Sequence, residues 1–262
     1  MDILIISRRG ELARREFQVR QMARLGLAFE FLDAVEAADL SDDECQMAAD
    51  SWPSATFRQD IACFHSHRLA WRKAASDGRL TLILEDDAVL CEGIGQSLQS
   101  ISSRHSQWNH VYDLEFIPEL HIISDRPTWQ DDEGGISARQ IYRNRFGLAG
   151  YIIGPEAARR MLADTGRYAL IDCYFWHRSW LNAQQIEPAQ VVQMRFLKGQ
   201  EAQDLFLRSP DERTFKPSSR VRKLAMRLRI ELERARALLA AAFRATKRQP
   251  RIDWAAFAKP AA

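Results

Sequence analysis

Glu85, Asp86 and Asp87 stand in a row directly after the apolar run Leu80-Thr81-Leu82-Ile83-Leu84. Three adjacent carboxylates repel one another, so a fold that keeps them together does so around something positive. Ions of the Mg²⁺ class take one or two carboxylates plus phosphate oxygens, so Mn²⁺ or Mg²⁺ carrying a phosphorylated substrate fits the row. A solvated acidic turn after a strand is the other reading. In an extended chain alternate side chains share a side, which turns Glu85 and Asp87 together toward the cation, with Asp87 the leading ligand. Asp86 then points away, toward a substrate ribose or a neighbouring side chain.

Such a row must be held by a scaffold, and the sequence supplies one. The five residues before the acids read as a buried strand of a parallel sheet, with the acids at its carboxyl end, where open α/β sheets bind ligands. Ile3–Ile6 is a further strand, and Glu11–Leu25 is helical, with Gly26 just past its end. A second strand covers Phe29–Val35. Thr56 is placed to cap a helix over Phe57–Ser76 that Gly78 closes. Leu148–Ile153 reads as another strand, and Pro155 opens a helix over Glu156–Ala163. This alternation predicts an α/β sandwich with parallel crossovers. The stretch Ile122–Ser137, with Asp131-Asp132-Glu133-Gly134-Gly135 inside it, reads as a long mobile loop or a hairpin tip.

Three blocks of the sequence resemble glycosyltransferase family 25, the bacterial lipopolysaccharide and lipooligosaccharide glycosyltransferases. The first runs from Ile5-Ile6-Ser7-Arg8-Arg9 through Arg14-Arg15 to Leu25–Val35. The second and most specific is Asp60-Ile61-Ala62-Cys63-Phe64-His65-Ser66-His67-Arg68-Leu69-Ala70-Trp71-Arg72-Lys73, continuing to Leu82–Ala88. The third joins Gly147–Ile153, Ala157-Ala158 and Ile171-Asp172. The family usually has Glu-Ile-Gly-Cys where this chain has Asp60-Ile61-Ala62-Cys63, and often Asp-His where it has Asp172-Cys173.

The resemblance implies a GT-A-like, nucleotide-sugar-binding α/β fold, with Glu85 and Asp87 on a divalent cation. It implies transfer of a hexose, galactose or glucose, from a UDP-sugar to a glycolipid or oligosaccharide acceptor of the lipopolysaccharide core. An inverting transfer needs a general base for the acceptor hydroxyl, and Asp172 matches the family's second acidic site. Its setting, Ala169-Leu170-Ile171 before Tyr174-Phe175-Trp176, would raise its pKa by burial. The other reading makes Asp172 the cap of a helix beginning at Tyr174. Ser7, Arg8, Arg14, His67 and Asp86 fall on the family blocks as donor-site candidates. For the basic residues Arg8, Arg9 and Arg14, a solvated face is the competing fate. His65 and His67 diverge by about 200° on a helix and cannot chelate one ion together, so His67 acts alone beside the donor or as a structural histidine. Phe175, Trp176 and Trp180 either stack on an acceptor sugar or pack in the core.

Composition narrows the classes. No apolar run approaches the roughly 20 residues that cross a bilayer, and Met1–Ile6 lacks the basic start of a signal peptide. Four widely spaced cysteines, Cys45, Cys63, Cys91 and Cys173, suggest neither a zinc motif nor a disulfide framework, which favours a cytoplasmic setting. A nucleotidyltransferase of related fold would carry a glycine-rich loop after its first strand, where this chain has Ser7-Arg8-Arg9-Gly10. A non-catalytic carbohydrate-binding relative would have broken acids, and here the row is intact. An aspartate-nucleophile phosphatase would carry an acidic motif after the first strand.

The net charge of +2 is unevenly spread. Between Pro217 and Arg251, eleven basic residues face only Glu231 and Glu233, a net +9 that leaves about −7 for residues 1–216. Ser209-Pro210 to Pro217-Ser218-Ser219 has a linker's composition, which divides the chain into a catalytic body over 1–216 and a basic amphipathic helical tail over 217–262. Val221, Leu224, Leu228, Leu232, Ala235, Leu239 and Phe243 form an apolar stripe flanked by arginines. A helix of this kind can lie in an anionic membrane surface, and the lipid-linked acceptor that the family resemblance implies favours that fate, at the inner face of the cytoplasmic membrane. Docking against the acidic body is the alternative, and no nucleic-acid reading module is present.

Overall fold

The computed structural model describes residues 1–105, 108–131, 135–144, 146–164, 170–176, 178, 180–197 and 214–257. In chain order the first half contains β1 (Asp2–Ser7), α1 (Leu12–Leu25), β2 (Glu30–Asp33), α2 (Asp42–Ala49), β3 (Thr56–Phe57), α3 (Arg58–Asp77), β4 (Thr81–Glu85), β5 (Ala88–Leu90) and α4 (Ile94–Arg104). There follow β6 (His110–Asp113), β7 (Glu115–Phe116), β8 (His121–Ser124), β9 (Trp129–Asp131), β10 (Ile136–Arg143), β11 (Gly150–Ile153) and α5 (Pro155–Asp164). The last part holds α6 (Ile171–Phe175), β12 (Asn182–Glu187), β13 (Val191–Gln193), β14 (Thr214–Phe215), α7 (Arg220–Ala241) and β15 (Ala245–Arg248).

A mixed sheet in the order β15-β8-β10-β12-β6-β11-β4-β1-β2 runs through the molecule. β1 lies parallel to both β2 and β4, as the β-α-β pattern of the sequence implies. Beyond β4 the parallel expectation gives way, because β11 pairs antiparallel with both β4 and β6. Alternate residues of β1 and β4 feed two cores: Leu4, Ile6 and Ile83 join α3 and α5 on one face, and Ile3, Ile5, Leu82 and Leu84 join α1 and α4 on the other. Burial on both faces is why these strands read as unbroken apolar runs.

Helix α3 begins at Arg58, one residue later than expected, with Phe57 in the capping position in place of Thr56. Thr56 belongs to β3 with its hydroxyl unpartnered among the described residues, and the Asp60 carboxylate takes the Phe57 N–H instead, at 3.2 Å. The helix ends at Gly78, whose φ of +68° lies in the left-handed region that favours glycine. Of the two readings of Ile122–Ser137, a long mobile loop or a hairpin tip, the hairpin is the one observed: the stretch contains most of β8 and all of β9, and β9 pairs antiparallel with β10. The tip residues Asp132, Glu133 and Gly134 lie outside the described residues, as does the Ser209-Pro210 end of the expected linker.

The C-terminal segment departs most from its expectation. α7 is a helix, but the chain beyond it returns to the body instead of ending as a helical tail. β15 adds an antiparallel strand to the edge at β8. Arg248 and Arg251 pair with the buried Glu187 carboxylate, and Phe257 is buried in the core beneath α4. α7 itself lies against β10 with Met226, Ile230, Glu233, Ala237 and Ala241 turned inward. Its apolar stripe faces outward: Val221, Leu224, Leu228, Leu232 and Leu239 are 52% to 79% exposed, and Phe243 is fully exposed.

Candidate active site

β1, β4 and α1 converge on the acidic row. Glu85 ends β4 opposite Ile6, with Ser7 next along β1. The turn that follows is clamped from α1 by two buried glutamines. Gln18 Nε2 donates to the carbonyls of Asp86 (3.0 Å) and Ala88 (2.8 Å). Gln21 donates to the Ala88 carbonyl at 3.0 Å and accepts the Leu90 N–H at 2.9 Å. Asp86 is tied inward: the Ser7 hydroxyl donates to one carboxylate oxygen at 2.8 Å and Arg14 to the other at 2.7 Å. Ser7, Arg14 and Asp86 thus form one buried group that fixes the turn.

Asp87, by contrast, is left bare. The residue is 3% exposed, and among the described residues neither of its carboxylate oxygens has a hydrogen-bond partner. Burial, and next the neighbouring Glu85 charge, push its pKa up to about 7 against the pull of Arg14 and Arg195. Glu85 is more open; its Oε1 lies 3.4 Å from His67 Nε2 and its Oε2 3.5 Å from Gln193 Nε2. His67 comes from α3, buried, with Nδ1 3.0 Å from the Tyr151 hydroxyl. That hydroxyl accepts the Trp71 indole N–H at 2.8 Å, so the ring's direction is set by the core.

Asp172 sits in the first turn of α6, one residue inside the helix, so it does not cap a helix starting at Tyr174. Burial and then Glu85 raise its pKa to about 6, opposed by His67 and by the Gly147 N–H. Gly147 has φ +85°, and a Cβ there would stand 2.1 Å from Ile117 Cδ1 and 2.6 Å from Glu115 Oε2. No other residue fits that approach. Arg8 does not join the site; it turns to Glu11 on the surface. Phe175 and Trp176 are core residues, and Trp180 stacks on Trp108 at 5.8 Å. The side chain of Cys173 lies outside the described residues.

Two acids unforeseen from the sequence lie behind the row. Asp113, at the end of β6, accepts the Glu115 N–H at 3.0 Å and the Asn144 amide at 3.2 Å. Glu115 accepts the Ala149 N–H at 2.8 Å, while its second oxygen is buried without a partner among the described residues. Burial drives both pKa values far up, and Glu115 also feels Asp113, Glu85 and Asp87. Ala149 in turn accepts the Glu85 N–H at 3.0 Å, so Glu115 braces the strand beside the row. Two acids within the buried segment His110–Phe116 were a signal of the same kind as the row itself.

Asp87, with both carboxylate oxygens buried and unpartnered among the described residues, and its neighbour Glu85 are the donor set that a hard divalent cation would need. The sequence profile of glycosyltransferase family 25 (LPS biosynthesis protein) matches residues 1–175, which include every acid of this cluster. The chain belongs to this family. LgtB of Neisseria meningitidis serogroup B, described as a lacto-N-neotetraose biosynthesis glycosyltransferase, is 25% identical over 166 residues, 60% of this chain and 59% of LgtB. The match therefore spans about three fifths of that relative's length. LgtE of Neisseria gonorrhoeae, of the same description, is 24% identical over 205 residues, 72% of each chain. The lipooligosaccharide biosynthesis protein lic2B of Haemophilus influenzae is 24% identical over 198 residues, covering 72% of this chain and 74% of its own. A solved glycosyltransferase involved in glycosylating the major capsid of PBCV-1 superposes at TM-score 0.37 and 11% identity, over 87% of this chain and all of that one.

Proposed function

We propose that this chain is a glycosyltransferase of GT-A type. It moves a hexose, galactose or glucose, from a UDP-sugar to a lipopolysaccharide or lipooligosaccharide core acceptor, with inversion. The observation that carries this reading is the bare carboxylate of Asp87, buried beside Glu85 at the carboxyl end of β4. Family membership and the lipooligosaccharide-biosynthesis relatives support the substrate class.

In this reading Glu85 and Asp87 hold Mn²⁺ or Mg²⁺. When bound, that cation neutralises charge on the leaving diphosphate and orients the donor. The chain's own groups do the rest. Ser7, Arg14, Asp86, Gln18 and Gln21 keep the turn from relaxing when the donor binds, and Arg195 adds positive charge beside Asp87. Asp172, its pKa lifted to about 6, is ionised at neutral pH and takes the acceptor hydroxyl proton. A cleft of about 450 Å³ lined by Trp52, Leu170, Arg178, Arg227, Glu231 and Arg234 opens beside the start of α6, with Arg234 paired to Glu231 and Arg178 to Glu233, and its mix of an indole and paired charges suits a polar sugar acceptor. Incubation with UDP-galactose or UDP-glucose, Mn²⁺ and a lipooligosaccharide acceptor should release UDP and extend the acceptor by one hexose. Absence of transfer across a panel of nucleotide sugars, with no donor raising the melting temperature, would contradict the reading.

The same reading makes the enzyme peripheral on the inner face of the cytoplasmic membrane. No helix among the described residues is long and apolar enough to cross a membrane. The stripe of α7 supplies the contact instead, with each flanking basic side chain adding about 1 kcal/mol near an anionic surface. Deleting residues 218–262 is a poor test, because it also removes β15 and Phe257. The double substitution Leu228→Asp and Leu232→Asp should abolish sedimentation with phosphatidylserine vesicles while leaving transfer to a soluble acceptor unchanged. Salt should weaken the native binding only in part, since it screens charge and spares the apolar contact. Unchanged sedimentation of the double variant would remove α7 as the membrane contact.

A further inference from the structure

We infer that Cys63, His67 and Glu85 form a binding site for a divalent cation of the Zn²⁺ class, separate in chemistry from the hard cation of the donor site. Cys63 and His67 stand one helical turn apart on α3 and so share a face. That face looks onto the end of β4, and the Cys63 sulfur, a His67 ring nitrogen and a Glu85 oxygen all lie within 4.8 Å of one another. Four ligands around Zn²⁺, with bond lengths of about 2.0 to 2.3 Å, stand about 3.5 Å apart. The 3.4 Å between His67 Nε2 and Glu85 Oε1 already meets that spacing. The Cys63 sulfur, within 4.8 Å of both, has to draw nearer to them on binding.

The surroundings favour coordination in three ways. Nδ1 of His67 lies 3.0 Å from the Tyr151 hydroxyl, and the tautomer that donates its proton there turns the Nε2 lone pair toward Glu85 Oε1, where an ion would sit between them. Burial, and then the Glu85, Asp172, Asp60 and Asp87 carboxylates, push the Cys63 thiol pKa up, so an ion has to displace the thiol proton, and the same carboxylates set a negative field that attracts that ion. Cys63 is also partly exposed, which gives an ion a way in. On binding, the thiol proton is released to solvent and the thiolate becomes the ligand. One sulfur, one imidazole and one carboxylate select Zn²⁺ or Co²⁺ over Mg²⁺, and three protein ligands leave a fourth position open. Since Glu85 serves both sites, Zn²⁺ inhibits transfer; this last consequence rests on the proposed function, whereas the binding does not.

The binding is read without turnover. Co²⁺ added to the metal-free full chain should give a thiolate-to-cobalt charge-transfer band, which Zn²⁺ displaces at equimolar amounts and Mg²⁺ does not. Cys63→Ser should lose the band and bind Zn²⁺ at least tenfold more weakly, while Cys91→Ser, altering a buried cysteine elsewhere, should keep both. Glu85→Gln should keep the sulfur band with weakened affinity, which covers a Cys63→Ser protein that fails to fold. In transfer assays Zn²⁺ should inhibit the native chain and spare Cys63→Ser. Absence of the band in the native chain, or its persistence in Cys63→Ser, would overturn the site. A chain that shows the band and its loss but transfers no sugar would keep the site and sink the glycosyltransferase reading.

Discussion

Asp87→Asn is expected to lower sugar transfer by about 10²- to 10³-fold, the scale of losing one electrostatic contact to a developing charge. The same change should make the cation-free protein more stable at pH 8. Both effects have one origin. The folded chain holds the Asp87 carboxyl at a pKa of about 7, far above its value of 3.8 in an open chain. Between those values the folded state binds more protons than the unfolded state, so stability falls as pH rises from about 4 to about 7. Asparagine carries no charge and avoids that loss, so the variant's advantage in melting temperature should grow with pH and vanish near pH 4. Mn²⁺ should reverse the ranking by stabilising only the native chain. Equal melting temperatures at pH 8, or normal turnover in the variant, would remove Asp87 from this role.

Asp172→Asn should reduce kcat by about 10²- to 10⁴-fold, the usual contribution of a positioned general base. Donor affinity should change little, because the carboxylate acts on the acceptor's proton and not on the diphosphate. The native enzyme needs Asp172 ionised, so kcat/KM should rise with pH through a value of about 6 set by that carboxyl. The variant's residual activity should lack this limb. Collapse of donor binding together with kcat would make Asp172 a donor-site or structural residue instead.

The parts of the fold that sequence patterns expose are those whose signals are local. β1 and β4 are apolar runs buried on both faces, and α1 and α3 end at glycines with positive φ, so each can be read without knowing its neighbours. β15 could not be read this way. Ala245-Thr246-Lys247-Arg248 has no alternation of apolar and polar residues, and it becomes a strand only because the edge of β8 is there to pair with it. The direction of the α7 stripe was equally hidden, since periodicity defines an apolar face and says nothing about which side the body occupies. Within the site, the acidic row was legible from its position after a strand. The glutamine clamp was not, because Gln18 and Gln21 on a helix look like solvated side chains until they are found buried against the turn. Asp113 and Glu115 escaped for a related reason: their partners Asn144 and Ala149 lie some thirty residues away.

The most direct test of the central claim is calorimetric titration of the native chain and Asp87→Asn with UDP-galactose and UDP-glucose, each with Mn²⁺ and with excess chelator. Saturable binding of one donor to the native chain with Mn²⁺, lost with chelator and lost in Asp87→Asn, is the predicted result. Equally tight donor binding in chelator, or in Asp87→Asn with Mn²⁺ present, would contradict a cation held by Asp87 and Glu85 as the anchor of the donor diphosphate.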